Sequence, residues 1–357
     1  MTRNKNVDVL RALAIIIIVA YHTYVLGGYP WANHVNLNYL ISFFGELGVT
    51  LFFLLSGYGI YSSLNKKEMN GSFPSWLGFM KGRCRRIIPP YYICIIFLLI
   101  FQTYTLIGSE GWPTIVAYFC FAQNFFVSTH GAINGALWAL ATIFQFYLIA
   151  PFLYKLLKKN WIITAVVSIL ISVLSKFVIY HYLLKGAEGT YYFVYGRQLI
   201  AALDNFVLGM VAALLAEKVL RSKKNIKPII GICGTALSGI IVLITCYTLS
   251  KHGIYIDDVV GYTTHTILSV LLMMLIFFVS ILPCVELKIY KVSDWIAANQ
   301  YGIYLWHMPM IFTLGSGAGA FLFFKERCFA VYMLLILLVS IFIGGFYSVG
   351  INKIFKK

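Results

Sequence analysis

Long apolar runs fill most of the chain, and short clusters of charged residues, Gly and Pro separate them. Runs near 20 residues are long enough to cross a bilayer as helices. The pattern predicts spans near 7–27, 39–62, 88–107, 135–157, 161–182, 197–217, 228–249, 260–282, 295–318 and 329–351. None of these runs alternates polar with apolar positions, as the strands of a membrane barrel would. The expected fold class is therefore all-α: a polytopic integral membrane helix bundle of about ten transmembrane helices, its termini on one side. Residues 113–128, "PTIVAYFCFAQNFFVS", are apolar enough for an eleventh crossing. A crossing there would place the Lys155–Lys159 cluster opposite the other basic loops, so an external surface helix or a re-entrant segment is expected instead. No repeat or low-complexity segment stands out. The loops are too short for a soluble domain, and residues 1–357 are expected to form one transmembrane domain. The first apolar segment is not followed by a small-residue cleavage site, so it is expected to be a retained span.

Charge sharpens this picture. The chain has 357 residues, of which 11% are charged, against about 25% in soluble proteins. The net charge of +16 would suit a nucleic acid, but its placement is topological. Of 28 Lys and Arg residues, 21 fall in segments on the side of the termini and 4 on the opposite side. That asymmetry predicts cytoplasmic termini, with the lipid bilayer as partner and no nucleic acid. The seven cysteines show no paired spacing, so free thiols and no metal site are expected.

The chemistry lies in the polar residues inside the spans. Arg11 and His22 are eleven residues apart in "NVDVLRALAIIIIVAYHTY". Eleven residues make three helical turns with a remainder of roughly 20°, so both side chains share one face, about 16 Å apart along the axis. Ionisable groups inside spans mark substrate or proton paths. Glu46, His265 and His307 join them. Arg197 and Asp204, seven apart, are expected on one helical face, where a structural ion pair is the simpler outcome. Lys176 is expected to snorkel towards the membrane surface. In "FMKGRCRRIIPPYY", Lys81, Arg83, Arg85 and Arg86 form a dense cluster before the third span, with Pro89 and Pro90 setting the entry into it. The cluster serves the positive-inside rule, and its guanidinium forks also suit phosphate oxygens.

Six separated motifs, in order, resemble the membrane acyltransferase-3 proteins of bacteria. They are "VDVLRALAIIIIVAYH", with Asp8, Arg11 and His22; "GVTLFFLLSGYGI"; "RCRRIIPPYY"; "LWALATIFQFYLIAP", with Trp138 and Tyr147; "RQLIAALDNFVLGM", with Arg197 and Asp204; and "YGIYLWH", with Tyr304 and His307. The resemblance covers nearly the whole chain. It implies transfer of an acyl group, usually acetyl, from cytoplasmic acetyl-CoA to a hydroxyl of an extracytoplasmic glycan. Arg11, Arg83, Arg85 and Arg86 would then hold CoA phosphates, and His22 would be a general base or a transient acyl carrier. Trp138, Tyr147, Arg197, Asp204, Tyr304 and His307 would line the substrate path. The walls of that path would come from the first three spans and those carrying Trp138 and His307. A homo-oligomer or a separate extracellular transferase would be a partner.

Two departures from the family pattern matter. Ile143 stands where many members carry Glu, and Thr50 where many carry Asp. Glu46, one turn before Thr50, is the expected replacement and would orient His22. A transporter or flippase for a sugar-linked lipid is the competing function. It accounts for the intramembrane charges but not for the Arg83–Arg86 motif together with the Arg11–His22 stripe. A non-catalytic scaffold or sensor gives no reason to keep that stripe.

Overall fold

The computed structural model describes residues 4–31, 33, 35–101, 111–183, 194–222, 228–251, 259–283, 289–317 and 319–355. Among them are twelve α-helices: α1 (Lys5–Leu26), α2 (Val35–Met69), α3 (Trp76–Phe101), α4 (Gly111–Phe119), α5 (Trp138–Lys159), α6 (Trp161–Val178), α7 (Leu203–Arg221), α8 (Pro228–Lys251), α9 (Val259–Ile281), α10 (Ile289–Gly317), α11 (Gly319–Arg327) and α12 (Phe329–Phe355). No strand is present among the described residues. Seven of the helices, α1, α2, α3, α5, α6, α8 and α12, are long and apolar enough to cross a membrane. α7 and α10 fall short because polar residues interrupt them: the charged Asp204, Glu217 and Lys218 in α7, and Lys291, Asp294, Asn299 and Gln300 in α10. In α9 the apolar stretch runs over His265–Ile281.

Local chemistry sets several helix ends. The Asn4 side chain accepts from the backbone N–H groups of Asn6 (3.0 Å) and Val7 (3.3 Å), which otherwise lack partners at the start of α1. Asn160 ends α5 and caps α6 through Ile163 N at 3.1 Å. One residue thereby turns the chain from one membrane helix into the next.

α1 packs between α2 and α10, α2 runs along α7, α10 along α12, and α9 against α7 and α8. α2 is 72% buried over its apolar stretch and α8 only 22%, so α2 is central and α8 peripheral. Exposed Ile229, Leu237 and Ile240 on α8, with Ile162, Leu170 and Leu174 on α6, make the apolar outer face expected of a lipid boundary. Lipid tails are as apolar as these side chains, so close helix association depends on van der Waals contact between small residues. α2 and α7 meet this way: a Cβ at Gly57 would collide with the carbonyl oxygen of Phe206, and one at Gly209 with that of Leu54. Gly302 and Gly344 make the same reciprocal approach between α10 and α12.

The basic segments gather at one end of the bundle. At the start of α1, Asn4 Nδ2 donates to Ser280 O (2.8 Å), Asn6 Nδ2 donates to Leu282 O (3.0 Å), and Tyr290 Oη donates to Asn6 Oδ1 (2.7 Å). The ends of α2 and α5 meet through Tyr154 Oη and Glu68 Oε2 (2.7 Å) and through Lys158 Nζ and Asn65 Oδ1 (3.2 Å). At the other end of the bundle, Tyr24 packs against Trp31 and Phe329.

Three expectations are corrected. The Arg83–Arg86 cluster lies within α3, which begins at Trp76, and Pro89 and Pro90 are internal to that helix. A helix extending through both prolines moves the third span earlier than 88–107. Residues 196–202 form turns before α7, so the Arg197–Asp204 spacing spans no two helical turns. Lys176 is buried on the inner face of α6 with Ala165, Ser168 and Ser172, and does not snorkel. Residues 113–128 begin in the short helix α4 and continue as irregular backbone that is partly buried against the bundle, with Phe125 and Phe126 exposed. Gln123 and Asn124 are buried there. Gln123 Nε2 donates to Leu137 O (3.0 Å) and Asn124 Nδ2 to Thr142 Oγ1 (3.1 Å). Such backbone is tolerated among membrane helices where protein groups satisfy it.

The glycine contacts generate a stability test. Gly209→Ala is expected to cost about 1–3 kcal/mol through overpacking against the α2 backbone. Gly82 on α3 has open space around its Cβ position. Gly82→Ala is therefore expected to leave the thermal midpoint unchanged or raise it, as Ala favours helix. Thermal unfolding of both variants in the same detergent checks the contrast.

Candidate functional site

His22 lies one turn before the end of α1, and α10 brings His307 against it. His307 Nε2 is 3.2 Å from His22 Nδ1, with ring centroids 5.0 Å apart. His22 Nδ1 also lies 3.0 Å from its own-helix carbonyl, Ile18 O. His307 Nδ1 lies 2.7 Å from Tyr304 O. His307 is fully buried, whereas His22 retains some exposure. Pro309 in α10 has no N–H to donate to Leu305 O. Asn134 Nδ2 (3.4 Å) and Cys94 Sγ (3.6 Å) serve that carbonyl instead. The proline thereby ties the 120–137 segment to α10 beside the histidine pair. Tyr304 stacks on Phe52 and hydrogen-bonds Ala136 O through its hydroxyl, closing the same corner.

A second group centres on Glu46. Arg197 Nη2 lies 3.3 Å from Glu46 Oε2, and Thr50 Oγ1 donates to Oε1 at 3.4 Å. His265 Nδ1 approaches Oε1 at 3.3 Å, off the angle of a hydrogen bond, and its ring stacks on Phe43. The Arg197 guanidinium lies over the ring of Trp138 at 5.1 Å, and His130 stacks on the same indole at 6.0 Å. Burial, with the charge of Arg197 adding to it, lowers the His130 imidazole to about 4, so this ring stays neutral around pH 7. Trp138, only 7% exposed, is held between other side chains and offers no open face for a sugar ring.

A third group lies at the basic end. Arg11 Nη1 donates to the buried Asp8 carboxylate at 2.5 Å. A Cβ at Gly59 would stand 3.2 Å from Arg11 Nη2. Four residues on, one helical turn along α2, Ser63 Oγ accepts from Arg83 Nη2 at 3.4 Å. Arg83 also lies over the rings of Phe79 (5.1 Å) and Tyr147 (5.6 Å). Arg11 and Arg83 thus converge on one strip of α2, while Arg85 and Arg86 are exposed on the outer side of α3. Between this end and His22, Ile15 and Ile18 of α1 and Leu51, Leu54 and Leu55 of α2 are buried, so aliphatic side chains fill the intervening layer.

The sequence-derived candidates separate accordingly. Tyr304 and His307 join His22; Trp138, Arg197 and Glu46 form the second group; Arg11, Arg83 and Tyr147 form the third. Glu46 does not hydrogen-bond His22, against expectation: its oxygens go to Arg197 and Thr50, and His307 holds the position beside His22. Arg197 pairs with Glu46 and not with Asp204. Asp204 is buried in the seam of α6, α7 and α9, where it accepts from Thr266 Oγ1 (3.0 Å) and Asn205 N (2.8 Å). Two members of the second group were not legible as such. His130 carried only the signal of a lone His just before the Trp138 span, and His265 was recognised as intramembrane without a partner.

A family model described as "Acyltransferase domain" matches residues 4–352. The O-acetyltransferase OatA of Staphylococcus aureus (strain NCTC 8325 / PS 47) is 29% identical over 338 residues, covering 87% of this chain and 51% of its own length. The peptidoglycan O-acetyltransferase OatA of Listeria monocytogenes serovar 1/2a (strain ATCC BAA-679 / EGD-e) is 26% identical over 323 residues, covering 86% and 49%. The chain spans about half the length of these curated relatives. No solved structure matches it. The family match reaches into every helix of the bundle and takes in both polar ends of α1, and the protein belongs to the acyltransferase-3 family of multi-pass bacterial membrane proteins.

Proposed function

We propose that the protein is a membrane O-acyltransferase that moves an acetyl group from cytoplasmic acetyl-CoA to a hydroxyl of an extracytoplasmic glycan of the peptidoglycan type. The observation that carries this reading is the polarity of α1. One end presents Arg11 and Arg83 along the same strip of α2, and the other presents the partly exposed His22 against His307. The names of the Staphylococcus and Listeria relatives supply the acetyl group and, for the Listeria protein, the glycan class. In the proposed topology the chain crosses ten times: α7, α9 and α10 add to the seven apolar helices, and the basic end with both termini faces the cytoplasm. A nucleotide with several phosphates cannot cross hydrocarbon, so the donor's charged part stays at the basic end. Arg83 and Arg11 meet its phosphates, and the pantetheine arm parts the aliphatic layer around Ile15 and Ile18 to bring the thioester to His22.

The chemical step is an acyl exchange. The acceptor hydroxyl oxygen attacks the thioester carbonyl, the C–O bond forms and the C–S bond breaks. His22 takes the hydroxyl proton and returns it to the departing thiolate, so no net proton is released. Arg197, held by Glu46 and Trp138, keeps a cation on the pocket side towards the 120–137 segment.

Two tests follow. His22→Ala is expected to lower acetyl transfer from radiolabelled acetyl-CoA to a glycan acceptor by at least about 10²-fold, the scale of general-base catalysis, with normal yield and thermal midpoint in detergent. Near-normal turnover would remove His22 from the chemistry. Arg83→Ala is expected to weaken CoA binding about tenfold or more, for a lost charge-assisted bond of roughly 1.5–3 kcal/mol. Exposed Arg85, changed to Ala, is expected to have a smaller effect. Calorimetric CoA titration of both variants in nanodiscs checks the order, and equal affinity in both would return the cluster to a purely topological role.

A further inference from the structure

The contact between His22 and His307 constrains hydrogens as well as rings. A carbonyl oxygen only accepts, so a ring nitrogen bonded to one must carry the hydrogen. His307 Nδ1, 2.7 Å from Tyr304 O, is therefore N–H. In a neutral ring that leaves His307 Nε2 with its lone pair, and this nitrogen faces His22 Nδ1 at 3.2 Å. His22 Nδ1 in turn faces Ile18 O at 3.0 Å and must also be N–H, its hydrogen shared between that carbonyl and His307 Nε2. The one nitrogen of the pair left as a free base is His22 Nε2. Acids are otherwise engaged: Glu46 by Arg197 and Thr50, and Asp204 by Thr266 and the Asn205 backbone.

We propose that His307 is a positioning residue that, together with the Ile18 carbonyl, holds His22 in the Nδ1–H tautomer and fixes the direction of its ring, so that a neutral imidazole does for this histidine what a carboxylate does in acid–histidine pairs. This rests on His22 being the reacting group of the proposed acyl transfer. The placement accounts for the burial of His307: both of its nitrogens are used, one on its own helix and one on His22. It also accounts for a chain that lacks the family acids at Thr50 and Ile143 and does not turn Glu46 towards His22. A neutral orienter fixes the direction of the lone pair but adds no charge to stabilise the imidazolium. Its removal is therefore expected to cost rate through misdirection, leaving donor binding intact.

The test is long-range ¹H–¹⁵N correlation spectroscopy of histidine-labelled protein in nanodiscs, with His22 assigned by comparison with His22→Gln. The wild type is expected to show His22 protonated at Nδ1 and bare at Nε2. His307→Ala leaves Ile18 O as the remaining acceptor at Nδ1, and His22 is expected to show a mixture of Nδ1–H and Nε2–H forms in place of the single native one. In His307→Gln the side-chain oxygen can still accept from Nδ1–H, and the native tautomer is expected to return in part. In acetyl-transfer assays, kcat is expected to fall about ten- to a hundredfold in the Ala variant, with KM for acetyl-CoA unchanged and partial recovery in the Gln variant. A wild-type His22 protonated at Nε2 would overturn the proposal. So would an unchanged His22 tautomer in folded His307→Ala, or in folded His307→Leu should the Ala variant not fold. The spectra report the tautomer whether or not acetyl transfer is detected, so a failure of the positioning role and a failure of the acyltransferase reading are separately visible.

Discussion

A polar side chain inside a bundle of apolar helices has no water to satisfy it, so each one needs a partner from another part of the chain. That constraint organises the interior. His307 answers His22 across the α1–α10 seam, and Glu46 answers Arg197 across α2 and the turns before α7. Ser63 answers Arg83 across α2 and α3, and Thr266 answers Asp204 across α9 and α7. Three of the four pairings link residues 62 to 285 positions apart, so the polar interior doubles as the register between helices that otherwise offer one another mostly apolar surface. The reciprocal glycine contacts supply the complementary half, bringing backbones close enough for these side chains to meet.

The same constraint divides α1 into two chemical environments. Its basic end keeps Arg11 beside Asp8, and its far end keeps His22 beside a second imidazole. The aliphatic layer between them separates an end suited to anions from an end suited to proton transfer. The proposed acyl donor, with a charged nucleotide and a long thin arm, would match that division, because only the arm has to enter the packed layer.

The departures from the family pattern acquire a physical setting. Thr50, where many members carry Asp, hydrogen-bonds Glu46 one turn earlier, so a carboxylate is still present at that height on α2. Its charge is directed to Arg197 and His265 and away from His22. Ile143, where many members carry Glu, is buried in apolar packing.

Much of the fold was legible in the chain alone, because crossing a bilayer makes a simple demand on length and hydropathy. The apolar runs, the segregation of Lys and Arg, and the Arg11–His22 spacing follow from composition and helical period, and the apolar runs reappear as long helices. What the period could not decide was where regular helix stops. The Arg197–Asp204 spacing looked like two turns of helix, but the backbone there is turned, and the two residues part towards Glu46 and Thr266. The two prolines of α3 looked like a boundary, yet the helix continues through them. Nor could any local pattern choose between Glu46 and His307 as the neighbour of His22. Periodicity orders residues along and around one helix, whereas which helix faces which is set by packing between segments hundreds of residues apart. Only the tertiary structure brings the α10 histidine to the α1 histidine, because a partner in a low-dielectric interior is chosen by proximity across the bundle and not by distance along the chain.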